Sequence, residues 1–203
     1  MTETEWQACT HAPAMLHWQH GRTSRRKFRL FACACSRRLW KQISEPRSRN
    51  AVQVAERYAD GLATRKELEA ARAAAPGRGI GRMTEFPAKI AAAAALPTAD
   101  RAAEISAALL TVSLMGTRTI AASEAEMAAL VRHVFTWQPA RSAPPEFPAT
   151  VVEMATTLYQ GEDCDFALHD ALLDAGLTEF AEHFREPWHP KGCWALDLLL
   201  GKK

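Results

Sequence analysis

Three side chains near the C-terminus have the types and spacing that could bind a metal. His183, His189 and Cys193 place two imidazoles and one thiol within eleven residues, and Zn²⁺ prefers imidazole nitrogen and thiolate sulfur. Cys9 and His11 could complete a tetrahedral set if the two ends of the chain meet in space. Structural zinc sites usually contain a close pair such as Cys-x-x-Cys, whereas a proline and a glycine separate His189 from Cys193. The sequence therefore favours a packed loop with surface histidines, and we assign no metal ligand or cofactor. A metal-binding protein that uses His183, His189 and Cys193 stays as an alternative function.

No other arrangement of residues points to catalysis. The sequence contains no Gly-x-Ser-x-Gly, His-Glu-x-x-His or phosphate-binding-loop motif. Cys33 and Cys35 are two residues apart, and on a helix such side chains point about 200° away from one another. We therefore interpret these two cysteines as small buried hydrophobic residues. We assign no catalytic residue, although an active site assembled from distant residues would not be visible in one sequence.

A second chemical feature is the positive charge between Arg22 and Arg49. This segment carries +9 and the rest of the chain −7, so the net charge of +2 hides a strong asymmetry. A helix from Ser24 to about Ser44 would place one set of apolar residues on a face that we expect to be buried: Phe28, Ala32, Cys35, Leu39 and Ile43. The opposite face, which we call the basic face, consists of Arg26, Lys27, Arg37, Arg38 and Lys41.

The basic face suits several kinds of contact. The leading hypothesis is a non-enzymatic helical interaction module that docks another protein with an acidic surface. The main alternative is nucleic-acid binding through phosphates, although the sequence shows no helix-turn-helix, zinc-finger or RNA-recognition signature. An anionic membrane surface is a further alternative. A solvated face, or pairing with acidic residues of the same chain, would require no partner at all. The sequence does not indicate an oligomeric state.

The elements that must position these residues are predicted to be helices. The chain has 39 alanines but only 12 valines and isoleucines together, a composition that favours helix over strand. Three segments match the capping box, in which a hydroxyl and a carboxylate satisfy opposite backbone N–H groups: Thr2-x-x-Glu5, Thr64-x-x-Glu67 and Ser123-x-x-Glu126. Asp163 or Asp165 is expected to begin another helix. We predict an all-α fold of about nine to eleven helices, forming a single irregular domain with an Ala-rich central helical section.

Two breaks divide the chain. Residues 76–82 are glycine-rich and residues 138–148 are proline-rich. We predict one domain over residues 1–203, in which basic N-terminal helices (1–75) pack with C-terminal helices (151–203). Residues 76–150 would form an Ala-rich helical arm between the two linkers. The predicted core contains Trp6, Leu16, Phe28, Phe31, Leu39, Val54, Tyr58, Leu158, Leu172, Trp194 and Leu198.

Composition excludes several broad classes. The 203 residues are 48% hydrophobic and 24% charged, which is typical of a globular protein and not of a disordered or collagen-like chain. The longest notable charge-free stretch, residues 105–117, is shorter than the ~20 residues that a membrane span requires. Five sparsely placed cysteines do not form a disulfide framework. With no secretory signal at the N-terminus, we expect a cytoplasmic protein.

Three segments together resemble a known family. They include Glu5-Trp6-Gln-Ala-Cys9, then Arg26-Lys-Phe-Arg-Leu-Phe31-Ala-Cys33-Ala-Cys35, and finally Gly192-Cys-Trp194-Ala-Leu-Asp197. In these segments the chain is similar to a family of small proteins abundant in planctomycete-type bacteria. That family has no established activity, so the resemblance implies no catalytic residues. It does imply that the two ends of the chain form one unit.

Two positions depart from that family. Where its members tend to have His-Cys-Arg near the C-terminus, this chain has His183-Phe184-Arg185. Where they often have a Cys-Cys pair, this chain has Cys35-Ser36. Both differences remove a thiol, which further disfavours a metal site.

Overall fold

The chain folds as α-helices. The structure, a computed structural model, describes residues 1–76, 85–116, 119–137 and 146–202, and within these ranges it contains no β-strand. The all-α prediction is confirmed. The chain divides into two compact units, Met1–Pro139 and Ala140–Lys203. The predicted packing of residues 1–75 with residues 151–203 stays a prediction. Most of the predicted glycine-rich break (77–82) and of the proline-rich break (138–145) lies outside the described residues.

The N-terminal unit contains eight of the described α-helices and one 3-10 turn. They are α1 (Glu3–Ala8), α2 (Ala12–Gln19), α3 (Arg25–Arg38), the 3-10 turn (Trp40–Gln42), α4 (Pro46–Ala59), α5 (Arg65–Ala74), α6 (Phe86–Ala94), α7 (Ala99–Met115) and α8 (Ile120–Val134).

Helix α3 is central to this unit and packs on α4, α6, α7 and α8. Every residue from Phe28 to Ser36 is buried, and the predicted apolar face is buried along its whole length. The helix begins just after Ser24, whose side chain caps it by accepting a hydrogen bond from the backbone N–H of Lys27. The helix ends at Arg38, earlier than the predicted Ser44, and continues as the 3-10 turn.

Alanines allow the central segment to approach α3 closely. Residues Ala91–Ala95 of this segment are all buried. Arg29 of α3 is 3% exposed and donates hydrogen bonds to the carbonyl oxygens of Ala94, Leu96 and Pro97. These carbonyls lie at the end of α6, where a helix leaves its last acceptors without partners. One buried guanidinium therefore joins α3 to the end of α6.

Two of the three predicted capping boxes form. Thr2–Glu5 and Thr64–Glu67 both form with reciprocal hydrogen bonds. The third prediction is wrong, because α8 begins earlier and is capped by Thr119. Ser123 lies inside the helix, where its hydroxyl donates to the carbonyl oxygen of Thr119.

The C-terminal unit contains four α-helices among its described residues: α9 (Ala149–Gln160), α10 (Asp165–Asp174), α11 (Thr178–His183) and α12 (Trp194–Leu199). Gly161 ends α9 with a φ of 95°, a conformation that favours glycine. Helix α9 packs on α10 and α12, and α10 packs on α11. Their shared core is apolar and includes Val151, Ala155, Leu168, Leu172, Ala181, Phe184, Cys193 and Leu196.

Seven of the predicted core residues are buried: Trp6, Leu16, Phe28, Phe31, Leu39, Val54 and Leu172. Tyr58, Leu158 and Trp194 are partly buried and pack against the cores of their own units. Leu198 is also partly buried. Within the described residues, none of the helices has the length and hydrophobicity needed to cross a bilayer.

Candidate metal centre

The C-terminal unit brings together the two imidazoles and the thiol that the sequence singled out. One ligand atom from each of His183, His189 and Cys193 lies within 4.8 Å of the other two. His183 is the last residue of α11, His189 lies in the following turn, and Cys193 is the N-cap of α12. The sequence disfavours this arrangement because it contains no Cys-x-x-Cys pair. The backbone achieves it with a turn between two short helices.

Prolines and a glycine shape that turn. Pro187 and Pro190 have no backbone N–H and disfavour a helical conformation at the residues before them, so α11 cannot continue. Gly192 has a φ of 89°, which reverses the chain. The backbone N–H of Cys193 then donates to the carbonyl oxygen of Pro190 at 2.9 Å. Pro190 and Gly192, which in the sequence count against a metal site, are thus part of the turn that brings His189 and Cys193 together.

The distances between donor atoms are close to those of a metal site. Cys193 Sγ lies 3.0 Å from Nε2 of His183 and 3.9 Å from Nδ1 of His189. Tetrahedral zinc, with Zn–N near ~2.1 Å and Zn–S near ~2.3 Å, places its nitrogen and sulfur ligands roughly 3.5 Å apart. The two observed distances lie on either side of that value, so small side-chain rotations would bring the three donors to a common ion.

A backbone contact orients His189. Its Nε2 lies 2.8 Å from the carbonyl oxygen of Glu186, and a carbonyl only accepts hydrogen bonds, so Nε2 carries the proton. Nδ1, which faces Cys193, is therefore left with a lone pair. Histidines that bind metals usually have their second nitrogen held in this way.

Burial keeps both imidazoles neutral. Burial lowers the pKa of His183 to about 4, with a smaller contribution from His189. Burial also lowers the pKa of His189. Cys193 is 0% exposed. Neutral imidazole is the form that binds a metal ion, so no proton has to leave either histidine at neutral pH.

Aromatic rings surround the donors. The ring of Trp194 lies 5.0 Å from that of His183, and the ring of Phe184 lies 4.6 Å from that of His189. Such an apolar surrounding limits the access of water and strengthens electrostatic interactions inside it.

The same contact between His183 and Cys193 could be interpreted as a catalytic thiol and its base. That interpretation requires a thiol that substrates can reach, and Cys193 is completely buried. It also requires a base that titrates near neutral pH, whereas the pKa of His183 is about 4. The burial of Cys193 and the low pKa of His183 are both compatible with metal binding, and neither is compatible with a thiol nucleophile.

Two residues of the predicted basic face form ion pairs with acids of the N-terminal unit. Arg37 donates to both carboxylate oxygens of Glu56, at 2.8 and 2.6 Å, and its guanidinium lies over the ring of Trp40. Arg26 pairs with Asp60 at 3.0 Å. These four charged side chains join α3 to α4 and its C-cap.

The other three residues of the basic face differ in exposure. Lys27 is partly buried and donates to the carbonyl oxygen of Val134 at 3.2 Å. Arg38 and Lys41 are exposed. Part of the predicted charge on this face is therefore used within the chain.

The remaining cysteines and histidines give no second centre among the described residues. Cys33 and Cys35 are fully buried, and burial raises the pKa of both thiols. These two side chains pack as small hydrophobic groups, in agreement with the sequence interpretation. Cys9 and His11, the other residues considered for a zinc set, belong to the N-terminal unit.

Comparison of the chain with protein-family models, with curated proteins and with solved structures finds no match. The resemblance to the planctomycete-type proteins stays a prediction. The function proposed below therefore depends on the geometry and chemistry of this centre.

Proposed function

We propose that this protein binds a zinc ion through His183, His189 and Cys193. The observation that carries the proposal is the convergence of three donor atoms, within 4.8 Å of one another, from three separate backbone positions. The three donors approach one another in an apolar surrounding, where burial of polar groups is costly unless it is compensated. One metal ion at this position would be coordinated by all three.

The donor set favours zinc over the other common biological cations. Mg²⁺ and Ca²⁺ prefer oxygen ligands, and none of the three donor atoms is an oxygen. Two nitrogens and one sulfur suit Zn²⁺, Co²⁺ and copper. The three residues supply three positions of a tetrahedron, and one further ligand completes it.

Metal analysis of the full chain, purified without a histidine tag, tests this proposal. We expect about one zinc per chain, since zinc sites with nitrogen and sulfur ligands are stable to purification. Cys193→Ser and His183→Ala should each lose most of this zinc. The matched controls Cys9→Ser and His11→Ala should retain it. Wild-type protein that contains no zinc, and takes up none from stoichiometric Zn²⁺, would refute the proposal.

Cobalt substitution gives a second readout at the same site. Co²⁺ bound by a thiolate absorbs visible and near-ultraviolet light, and a bound Co²⁺ should quench the fluorescence of Trp194, whose ring contacts His183. The thiolate band should be absent in Cys193→Ser. A band that persists in this variant would assign the metal to another cysteine.

A second candidate function is docking to an acidic protein surface through Arg38 and Lys41. The supporting observation is that these two members of the basic face are exposed to solvent. The test is capture from a lysate, with and without nuclease, by wild type and by the Arg38→Glu/Lys41→Glu variant.

Nuclease-resistant capture that the Arg38→Glu/Lys41→Glu variant loses would support the protein partner. Nuclease-sensitive capture would replace it with nucleic acid. The control variant Lys66→Glu/Arg101→Glu reverses two exposed charges elsewhere in the N-terminal unit. Equal loss of capture in both variants would exclude a specific role for the basic face.

A further inference from the structure

Helix α10 exposes two large apolar side chains on one side. Phe166 is 78% exposed, more than any other large hydrophobic side chain in the part of the chain that the structure describes, and Leu173 is 41% exposed. The two residues are seven positions apart, so two turns of the helix bring them into line. Scattered exposed hydrophobic residues are normal, but aligned ones on one helix face indicate an interaction surface.

The core of the C-terminal unit does not explain this outer face. Leu168 and Leu172 already bury the inner side of α10 in that core, and at 100° per residue they lie on the other side of the helix from Phe166. A helix that only covers its own core carries polar residues on its outer side. Phe166 and Leu173 depart from that pattern.

Acidic residues lie beside the apolar pair. Asp170 and Asp174 follow Phe166 by four and eight positions, so they form a stripe next to it on the same side of α10. Oδ1 of Asp170 lies 3.1 Å from Nδ1 of His169, and the ring of His169 stacks with that of Phe166. Helix α10 contains neither lysine nor arginine. We call this exposed surface the α10 face, and it consists of Phe166, Ala167, Asp170, Leu173 and Asp174.

The charge around the α10 face is also negative. Residues 140–203 contain five basic and eleven acidic side chains, a net charge of −6, although the whole chain carries +2. Glu162 and Asp163, just before α10, are exposed as well. A second copy of this chain that docked through the same face would place acid against acid, which is unfavourable. The complementary partner presents basic side chains beside apolar ones.

We propose that the α10 face binds a basic amphipathic helix of another protein. Helices that dock on one another use apolar anchors at positions such as i and i+7, which is the spacing of Phe166 and Leu173. Apolar residues of the partner would pack on these two side chains, and its lysines or arginines would pair with Asp170 and Asp174. With ten residues, α10 is about 15 Å long and offers contact to roughly three turns of the partner. This surface is separate from both the proposed zinc ligands and the basic face.

The test titrates the full chain into a fluorescently labelled synthetic peptide and measures the Kd by anisotropy. The patterned peptide consists of leucine and lysine, with leucines repeating at i, i+3, i+4 and i+7. The scrambled peptide has the same composition in an order that breaks this spacing. We expect the patterned peptide to bind about tenfold tighter or more, because both carry the same charge and only one presents a continuous apolar face.

Two double variants separate the apolar and the acidic contributions. Phe166→Ser/Leu173→Ser removes the anchors and should raise the Kd of the patterned peptide about tenfold or more, because aromatic anchors dominate binding energy. Asp170→Asn/Asp174→Asn keeps the size of both side chains and removes their charge. It should weaken binding and make the Kd less sensitive to salt. Circular dichroism verifies that each variant is folded.

Matched controls change the same types of residue elsewhere. Leu62→Ser/Ile120→Ser removes two exposed apolar side chains of the N-terminal unit. Glu153→Gln/Glu179→Gln removes two exposed carboxylates of the C-terminal unit that do not belong to α10. Both controls should bind the patterned peptide as wild type does.

The measured affinities support or overturn the inference. Tighter binding of the patterned peptide that both α10 variants weaken, and that both controls retain, supports it. Equal affinity for the two peptides, equal effects of the α10 variants and the controls, or no binding by wild type overturns it. None of these results depends on whether the chain binds zinc.

Discussion

At the scale of single residues, this protein uses buried charge to join its helices. Arg37 and Glu56 form a two-pronged ion pair between α3 and α4, and the carboxylate side chain is only 6% exposed. Such a pair need not stabilise the fold relative to two apolar residues. Removal of one partner is costly, because it leaves the other charge partly buried without compensation.

Glu56→Ala should therefore destabilise the protein. Because Arg37 is 29% exposed and water partly compensates its charge, we expect a loss of about 2 kcal/mol in the free energy of unfolding. Urea denaturation measures it. The control is Glu69→Ala, which breaks the exposed pair between Arg65 and Glu69 and should leave the unfolding midpoint unchanged. Equal midpoints for the two variants would contradict this prediction.

Arg29 gives a second prediction at this scale. Its guanidinium donates hydrogen bonds to three carbonyl oxygens at the end of α6. Arg29→Lys should cost about 2 kcal/mol of unfolding free energy even though it keeps the charge, because one ammonium cannot reproduce the planar fork. The measurement is the same denaturation experiment. If Arg29→Lys is as stable as wild type, the positive charge at this position, and not the shape of the guanidinium, stabilises the end of α6.

At the scale of elements, helix ends are the features that sequence predicts best. Thr64 caps α5 in the predicted box, whereas Thr98 precedes α7 and makes no capping hydrogen bond within the described chain. Thr64→Ala should lower the free energy of unfolding by about 1 kcal/mol. Thr98→Ala, the matched control, should have no measurable effect. The two variants differ only in whether the hydroxyl binds the helix end, so equal effects would refute the capping contribution.

The Thr64 box also predicts a pH dependence. Glu67 accepts hydrogen bonds from the backbone N–H and hydroxyl of Thr64, and these hold its pKa below the ordinary value. The stabilisation is therefore present above the ordinary pKa of glutamate, and it is lost as the pH falls through the lowered value. The difference in unfolding free energy between wild type and Thr64→Ala should shrink in acid. If the difference in unfolding free energy stays constant as the pH falls through the pKa of Glu67, the carboxylate of Glu67 does not contribute through this capping box.

Local signals explain which elements were predictable. Ser24, Thr64 and Asp165 mark helix starts through bonds or charges within one turn, and α3, α5 and α10 begin at or just after them. Ser123 shows the limit of such local signals. The sequence from Ser123 to Glu126 matches a capping box, but α8 already begins at Ile120, so Ser123 lies inside the helix.

Contacts distant along the chain were not predictable from one sequence. The partners of Arg29 are 65 to 68 residues away, so no spacing rule could find them. The sequence identifies His183 and Cys193 as candidate ligands, but their 3.0 Å contact depends on a turn that contains the proline and the glycine counted against a site. Oδ1 of Asp165 is buried without a hydrogen-bond partner among the described residues, and no sequence pattern indicates this, because it depends on tertiary burial.

At the scale of the whole molecule, the proposed metal should stabilise the C-terminal unit. Two of its four described helices, α11 and α12, are only six residues long, and the donors lie at their facing ends. Short helices depend on tertiary contacts, and small units often need a metal or disulfide as a staple. A ligand that binds only the folded state stabilises it by about 2.7 kcal/mol at 100 times its Kd.

Zinc removal should therefore lower the melting temperature. We expect calorimetry to show a lower Tm after exhaustive chelation, restored by Zn²⁺ and not by Mg²⁺. Cys193→Ser should show the lower Tm with or without zinc. An unchanged Tm in a protein shown to lose its metal would mean that the ion does not hold this unit together.

Each unit contains at least one buried cysteine, so the rate of thiol alkylation can report how often each unit opens. All five carry thiols and not disulfides. Cys33 and Cys35 are buried in the N-terminal unit and Cys193 in the C-terminal unit, whereas Cys9 and Cys164 are partly exposed. A thiol-alkylating reagent in native buffer reacts with a buried sulfur only when its surroundings open. Timed alkylation read by peptide mass spectrometry would thus record the opening rates of the two units separately, in one unmodified sample.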